Sequence, residues 1–287
     1  MDNRFRNLAY SILEDYQDHT KFYTDGSKTE TGVGASVYYN NVIKMIKLPN
    51  FCSIFTAEAL AISHALEIVK QQKIDQALIL SDSLSALKSI LNTKQPNTIS
   101  RIIQNQISLL NINNQIITLL WIPSHVGIPG NETTDIYAKR AITSPDAISV
   151  QTCSLSDIKG VIQALTLEKW QYRWASSQTK LNEIKLSINP WPTYLTNRRH
   201  EVIINRLRIG HTWLTHRHLM RREDPDLCTT CGEALTVKHI LLYCRNYADT
   251  RTALSIPEHL YETLGPDHEN TVKIIKFLKI TKLYNLI

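Results

Sequence analysis

Four acidic side chains in the first half of the chain lie where a carboxylate contributes little to folding. Asp25 lies inside a segment that predicts a strand, Glu58 in an alanine-rich helical segment, Asp82 directly after the apolar "ALIL", and Asp135 in a later helical segment. Each has an ordinary alternative: Asp25 as part of a turn, Asp82 as a helix cap, and Glu58 and Asp135 as surface residues. Taken together, four such acids favour metal or acid–base chemistry.

Asp25 and Asp82 are expected to lie side by side. The first and fourth strands are natural neighbours where the winding of an open sheet reverses, and ligands bind outside the strand ends at that point. Like charges so close raise each other's pKa unless a cation offsets them, and Mg²⁺ suits a site where the substrate supplies phosphate oxygens. A calcium-binding loop starting at Asp25 is excluded, because its sixth residue is Glu30 and its twelfth is Ser36.

A second group of potential ligands lies in the other half of the chain. The segment "CTTCGEALTVKHILLYC" has the spacing C-x2-C-x7-H-x4-C and contains Cys228, Cys231, His239 and Cys244. Three thiolates and one imidazole make a complete tetrahedral set for Zn²⁺, with no open position for a substrate, so we expect a structural site. A disulfide between two of these cysteines is the alternative.

The elements that must position the four acids have a definite order. A meander of three strands is followed by a helix, a buried strand, two helices, a strand and a last helix. The expected strands are residues 20–25, 33–39, 42–48, 77–80 and 116–122, and the expected helices are about 53–73, 84–91, 98–110 and 132–142. This order predicts an α/β fold with a five-stranded mixed sheet flanked by helices.

The sequence also predicts a division of the chain. We expect a first domain at 18–146, a linker at 147–154 near "TSPDAIS", and a mostly helical basic region at 155–287 with a zinc knuckle at 228–244.

Four segments, "YTDGS", "AEALAI", "LILSDS" and "WIPSHVGIPGNETTD", resemble in order and spacing the signatures of type 1 ribonuclease H. The most similar variety is the domain at the C-terminal end of insect non-LTR retrotransposon polyproteins. The resemblance implies endonucleolytic hydrolysis of the RNA strand of RNA/DNA hybrids by a retrotransposon-derived protein. Asp25, Glu58, Asp82 and Asp135 would be catalytic and bind Mg²⁺, and His125 would assist proton transfer or product release.

The implied chemistry agrees with the residue types. Two Mg²⁺ ions, or Mn²⁺, about 4 Å apart would activate a water and stabilise the departing oxygen at the scissile phosphate. Histidine is the side chain that ordinarily exchanges protons near neutral pH, and His125 lies in a loop with Gly127 and Gly130, so it could approach the departing group. Preference for a hybrid would come from 2′-hydroxyl contacts and strand geometry.

The basic residues are concentrated in the second half. Residues 1–150 contain 13 Lys and Arg and 13 Asp and Glu, so the whole net charge of +6 comes from residues 151–287. Within residues 196–222 the only acid is Glu201, and we expect the arginines there to contact nucleic-acid phosphates: Arg198, Arg199, Arg206, Arg208, Arg217, Arg221 and Arg222. Because "LNTKQPNTIS" lacks the basic protrusion with which some ribonucleases H hold DNA, we expect this region to supply the missing affinity. A solvated helix face and a zinc module without nucleic-acid contacts are the alternatives.

Composition excludes some classes of protein. The 287 residues are 43% hydrophobic and 20% charged, without a signal-peptide pattern or a membrane-spanning apolar run. We therefore expect no membrane partner and an intracellular protein, with nucleus and cytoplasm both open and the oligomeric state unknown. Two alternatives to the nuclease remain: a catalytically inactive nucleic-acid-binding remnant of a mobile element, and a transposase or integrase of similar fold, which the position of Glu58 disfavours.

Overall fold

A computed structural model of the chain describes residues 2–192 and 197–287, with the side chains of residues 2 and 3 excluded. It has two compact units, Met1–Ala164 and Leu165–Ile287. The strands of the first unit are β1 Thr20–Lys28, β2 Val33–Tyr39, β3 Val42–Leu48, β4 Gln76–Ser81, β5 Ile116–Trp121 and β6 Ile148–Ser149. Its helices are α1 Asp2–Glu14, α2 Ile54–Gln72, α3 Leu84–Leu91, α4 Thr98–Ile112 and α5 Pro129–Ala141, and α6 Leu155–Ala175 begins within it.

The sheet has the strand order β5-β4-β1-β2-β3-β6. Strands β1, β2 and β3 form an antiparallel meander, while β4 and β5 join it in parallel. The expected mixed sheet flanked by helices is confirmed, including the pairing of the first and fourth strands. The sheet has six strands where the sequence predicts five, because residues 148 and 149 of the predicted linker pair with β3.

Helices cover both faces of this sheet. Side chains such as Phe22, Val37 and Ile79 pack with α2 and α4 in one buried cluster. Leu78 and Leu80 point to the opposite face, where they pack with Ala9 and Leu13 of α1. The alternation of Leu78, Ile79 and Leu80 between two apolar clusters explains why β4 is apolar throughout.

Helix α5 lies on the same sheet through small residues. Gly34 of β2 faces the Ala138 carbonyl so closely that any β-carbon at residue 34 would overlap it. The Ser36 hydroxyl donates to the Thr134 carbonyl at 2.7 Å. Because Gly34 has no side chain and Ser36 bonds to the backbone of the helix, α5 and its Asp135 lie close to β2.

The second unit is helical, as the sequence predicts. Its elements are α7 Arg198–Ile209, α8 Trp213–Arg221, a π-helical turn His239–Tyr243, a 3-10 turn Arg245–Tyr247, α9 Ala248–Ala253, α10 Leu260–Thr263 and α11 His268–Ile280. Ile204, Leu241, Ile274 and Phe277 are at its buried centre. Among the described residues, no helix is both long and apolar enough to cross a membrane.

Candidate functional site

Asp25 lies at the inner part of the sheet, beside the end of β4. In the parallel pairing of β1 with β4, Thr24 is opposite Ser81, so the next residues are Asp25 in β1 and Asp82 directly after β4. The Asp25 side chain is only 6% exposed, and its Oδ1 accepts a hydrogen bond from the Gly26 amide at 2.8 Å. The expectation that Asp25 and Asp82 are neighbours is therefore confirmed.

Glu58 reaches the same place from the first turns of α2. A β-carbon on Gly26 would lie 2.7 Å from the Glu58 amide nitrogen, so only glycine allows β1 and α2 to come this close. Glu58 is 9% exposed, and its buried Oε2 has no hydrogen-bond partner among the described residues. A buried carboxylate oxygen without a donor is unusual in a folded protein and marks a position for a cation or a proton.

Asp82 is not the cap of the helix that follows it. Ser83 has that role, because its hydroxyl accepts from the Ala86 amide at 3.3 Å. The Asp82 carboxylate is instead held by Asn131, whose Nδ2 donates to Oδ2 at 3.2 Å. The Asp82 carbonyl accepts from the indole of Trp121 at 3.0 Å. The side chain of Asp82 is thus oriented toward the carboxylate cluster.

Asp25, Glu58 and Asp82 each place one carboxylate oxygen within 4.8 Å of the others. Burial, followed by the charge of Asp82, raises the pKa of Asp25 to about 7. Burial, followed by the charges of Asp25 and Asp82, raises the pKa of Glu58 to about 9. Since the three groups repel one another and one oxygen lacks a donor, their chemistry fits a hard divalent cation such as Mg²⁺.

Asp135 stands at the edge of this cluster. It forms an ion pair with Lys139, one helical turn later in α5, with Oδ2 and Nζ 2.7 Å apart. Its charge contributes to the raised pKa of Asp25, but it does not belong to the group of oxygens within 4.8 Å. The structure therefore brings three of the four predicted acids together and leaves the fourth engaged by a lysine.

His125 is exposed in the loop between β5 and α5, with a left-handed φ of 55°. Buried Ile122 and Ile128 fix the two ends of this loop to the sheet. The Gly127 amide donates to Glu132 Oε1 at 3.2 Å, and a β-carbon on Gly127 would lie 3.5 Å from the Arg6 guanidinium of α1. His125 thus lies on a loop whose two ends are fixed, and its imidazole is exposed to solvent.

The sequence did not predict Asn131 as a residue of this site, or the packing role of Gly130. Asn131 is 2% exposed, holds Asp82, and leaves its Oδ1 buried without a partner among the described residues. Gly130 lies against the ring of Tyr23, where any side chain would overlap. Their signal in the sequence was the dipeptide "GN", a small and a polar residue at the start of a helix. Gly130 precedes Asp135 by five residues and Asn131 precedes it by four.

The Cys/His group of the second unit is assembled. Sγ atoms of Cys228, Cys231 and Cys244 and a ring nitrogen of His239 all lie within 4.8 Å of one another. The Sγ atoms of Cys228 and Cys244 are 3.7 Å apart, too far for a disulfide bond of about 2.0 Å, and all five cysteines are free. Gly232, with a φ of 73°, turns the chain so that its amide donates to the Cys228 carbonyl at 2.8 Å.

The histidine of this group has a defined orientation. His239 Nδ1 is 3.0 Å from Glu233 Oε2, while its Nε2 is buried and lacks a partner among the described residues. A carboxylate at Nδ1 favours the proton there and leaves Nε2 as a free electron pair, the arrangement of metal-binding histidines. The nearby imidazole of His239 lowers the pKa of Cys228, whereas burial raises that of Cys244. Thiols, one of them acidified, and a free imidazole nitrogen fit Zn²⁺.

The predicted phosphate-binding arginines differ in their present contacts. Arg208 donates to the carbonyls of Leu264 and Gly265, both at 2.8 Å, and lies over the ring of Trp191. Arg217 makes a two-point ion pair with Asp226 at 2.8 and 3.1 Å. The others are distributed as follows: Arg206 donates to the Ile287 carbonyl, Arg199 donates to Asn285, Arg221 is 3.9 Å from Glu223, Arg222 is the C-cap of α8, and Arg198 begins α7. The contacts of Arg208 and Arg217 serve the second unit itself.

Comparisons with known proteins find similarity in the carboxylate-bearing region. Residues 17–143 match the family model of RNase H. Solved structures include 190 matching chains, among them the foamy viral protease-reverse transcriptase in complex with an RNA/DNA hybrid, at 19% identity and a TM-score of 0.36. That match covers 43% of this chain and 20% of the viral chain, so this chain spans about a fifth of the viral chain's length. Among curated proteins there is no significant match.

Proposed function

We propose that the first unit is a ribonuclease H that cleaves the RNA strand of RNA/DNA hybrids endonucleolytically with two divalent metal ions. The observation that carries this proposal is the cluster of Asp25, Glu58 and Asp82, with the partnerless Oε2 of Glu58, inside the region that matches the RNase H family. Three converging carboxylates on a strand, a helix and a strand end suit metal-assisted phosphodiester hydrolysis.

The acids have distinct parts in this proposal. Asp25, Glu58 and Asp82 would hold the metal, which when bound supplies Lewis-acid activation of water and neutralises charge at the scissile phosphate. Asp135 would complete the set as a fourth ligand. Because Lys139 already balances the charge of Asp135, metal binding at that carboxylate exchanges one cationic partner for another.

His125 and Asn131 would serve the reaction from the α5 side of the site. The exposed imidazole of His125 can give a proton to the departing oxygen or take one from water, since histidine is the usual side chain for general acid–base chemistry. Asn131 keeps the Asp82 carboxylate oriented through Nδ2. Recognition of the hybrid would rest on 2′-hydroxyl and backbone contacts.

We also propose that the second unit binds a structural Zn²⁺ and adds affinity for nucleic acid. The zinc assignment is supported by the buried, partnerless Nε2 of His239 beside three free cysteines. The nucleic-acid assignment is supported by the excess of basic residues, with Arg198, Arg199, Arg206, Arg221 and Arg222 as the candidates for phosphate contacts. From the resemblance of the sequence we propose that the protein derives from a retrotransposon.

A cleavage assay tests the nuclease. The zinc-loaded chain is incubated with a labelled RNA/DNA hybrid, with single-stranded RNA and with duplex DNA, with and without Mg²⁺, so that zinc stays bound in both conditions. We expect only the hybrid to be cut, and only with Mg²⁺. Removing outer contacts of a metal site costs about 10–100-fold, so Asp25→Asn and Asp82→Asn, which remove ligands, are expected to cost at least that.

The matched control is Asp75→Asn, which removes an exposed carboxylate just before β4 and is expected to leave cleavage unchanged. Cleavage of duplex DNA, or hybrid cleavage that persists in both ligand variants, contradicts the proposal. Tight hybrid binding with no cleavage by the wild-type chain would instead establish the inactive, nucleic-acid-binding remnant.

A further inference from the structure

A second buried carboxylate lies outside both the catalytic cluster and the region that matches the RNase H family. Asp157 is in the first turn of α6 and is 6% exposed. Its Oδ1 accepts from the Ser53 amide at 2.9 Å, and its Oδ2 accepts from the Thr56 hydroxyl at 2.7 Å and from the Ser154 amide at 2.9 Å. One side chain thus receives three hydrogen bonds from two separate segments.

Part of this arrangement caps α6 itself. The Asp157 amide donates to the Ser154 hydroxyl at 3.1 Å, while the Ser154 amide donates to the Asp157 carboxylate. These reciprocal bonds form a capping box, which orients the side chain of Asp157 at the start of the helix. The position of the carboxylate is therefore set before it contacts α2.

The other part closes the start of α2. Ser53 is the cap of α2 and accepts from the Thr56 amide at 3.3 Å. Thr56 donates its hydroxyl proton to Asp157, so the contact of 3.1 Å between the two hydroxyls has Ser53 as its donor. The backbone amide of Ser53 also donates to the Asp157 carboxylate. The first turn of α2 is therefore tied to α6 by two of its residues.

Asp157 is negatively charged in this setting. Burial by itself raises the pKa of Asp157, but the hydrogen bonds from Thr56, Ser154 and Ser53 outweigh burial and lower the pKa below its ordinary value. The carboxylate also faces the starts of two helices, α2 and α6, whose dipoles favour a negative charge. An amide at this position would present two N–H donors to groups that are themselves donors.

The segment between β6 and Asp157 lies along the same edge of the first unit. The Val150 amide donates to the Lys47 carbonyl at 2.9 Å, and the Cys52 thiol lies 3.7 Å from the Thr152 carbonyl. On the other side, Lys28 at the end of β1 donates to the Cys52 carbonyl at 2.8 Å. The residues before Ser53 are thus held by both β1 and the segment that leads to α6.

Glu58 follows this anchored turn directly. It lies two residues after Thr56, and its amide is in contact with Gly26 of β1. A shift of the first turn of α2 would therefore move the Glu58 carboxylate relative to Asp25. In a site that needs several oxygens around one cation, small displacements of one ligand weaken metal binding.

We propose that Asp157 is a positioning residue for Glu58, and that residues 147–157 are an integral part of the metal-binding unit. The proposal deepens the proposed nuclease function and rests on it for the cleavage readout, while the metal-binding readout is independent of that function. Asp157 acts by fixing the first turn of α2; it does not touch the metal cluster.

The test uses the full zinc-loaded chain and the variant Asp157→Asn, with Asp146→Asn as the matched control. Asp146 is an exposed aspartate two residues before β6, so its substitution removes the same charge without touching α2. Mn²⁺ binding is titrated by the relaxation of water protons, amide exchange is measured in residues 54–58, and hybrid cleavage is followed against Mg²⁺ concentration. We expect Asp157→Asn to weaken Mn²⁺ binding and raise the half-saturating Mg²⁺ concentration by about tenfold or more, with faster exchange in residues 54–58.

A second variant, Thr56→Val, keeps Asp157 and removes only the hydroxyl donor. We expect it to shift metal binding in the same direction by a smaller factor, and the double variant to be less than additive, because both changes act on one contact. If Asp157→Asn only lowers the fraction of folded protein and leaves the Mn²⁺ affinity of that fraction within twofold of wild type, the proposal is overturned. If the wild-type chain binds Mn²⁺ but does not cleave hybrids, the nuclease assignment fails and the Mn²⁺ and exchange results still decide the role of Asp157.

Discussion

Replacing Glu58 with glutamine should stabilise the first unit near neutral pH when no divalent cation is bound to the carboxylates. The reason is the raised pKa of Glu58, about 9 against 4.5 for an ordinary glutamate, which arises from burial and the charges of Asp25 and Asp82. The folded protein keeps a proton on Glu58 that the unfolded chain has already lost. Above pH 4.5 this difference lowers the free energy of unfolding, and we call that loss the penalty. Glutamine is neutral in both states and does not have it.

The size and sign of the effect follow from linkage. Below pH 4.5 both states of the wild-type chain are protonated at Glu58, and the penalty is absent. As pH rises toward 9, the free energy of unfolding falls by about 1.4 kcal/mol per pH unit for this one group. At pH 7 the expected gain for Glu58→Gln is therefore on the order of 3 kcal/mol, and at pH 5 it is under about 1 kcal/mol. Asp25, whose pKa is about 7, adds a slope of its own in both proteins.

Hydrogen exchange of the amides of β1 and β2 measures this free energy in the full chain, since these strands are at the centre of the sheet. Wild type, Glu58→Gln and the control Asp75→Asn are compared from pH 5 to pH 7.5 in zinc-loaded protein without other divalent cations. Addition of Mg²⁺ should then stabilise wild type, most strongly at the highest pH, and stabilise Glu58→Gln much less, because the variant lacks one ligand. Equal pH slopes for wild type and Glu58→Gln would refute the claim that Glu58 is held protonated by its neighbours.

Three further substitutions test the contacts that shape the two clusters. Gly26→Ala should cost about 1–3 kcal/mol of stability and weaken Mn²⁺ binding, because the new methyl group would lie 2.7 Å from the Glu58 amide; thermal unfolding and Mn²⁺ titration measure both. Asn131→Ala should lower hybrid cleavage about 10–100-fold with little change in hybrid affinity, since it frees the Asp82 carboxylate; unchanged kcat would argue against this role. Glu233→Gln should weaken Zn²⁺ binding about 10–100-fold in a competition with a chromophoric chelator, because the His239 tautomer is no longer fixed; the exposed Glu269, changed in the same way, is the control.

The sequence alone determined much of the first unit, because its signals are local. Alternating and continuous apolar runs predict strands β1 to β5, and the start of α2 is marked by Ser53 or Thr56, of which the structure uses Ser53 as the cap. The C-x2-C-x7-H-x4-C spacing likewise brings ligands together over a short stretch of chain. Asp25 and Asp82 could be placed side by side because the strand order follows from the sequence of elements.

Only the tertiary structure decided which carboxylates converge and what holds them. Asp135 is paired with Lys139 and stands outside the cluster, although its motif is as clear in sequence as those of the others. The role of Gly26, the orientation of Asp82 by Asn131, and the anchoring of α2 by Asp157 each depend on contacts between residues that are distant along the chain. Such contacts form only when packing distances are correct to within a few tenths of an ångström, and residue type and spacing do not specify distances that finely. For that reason the sequence could predict the acids but not the surroundings that set their pKa values.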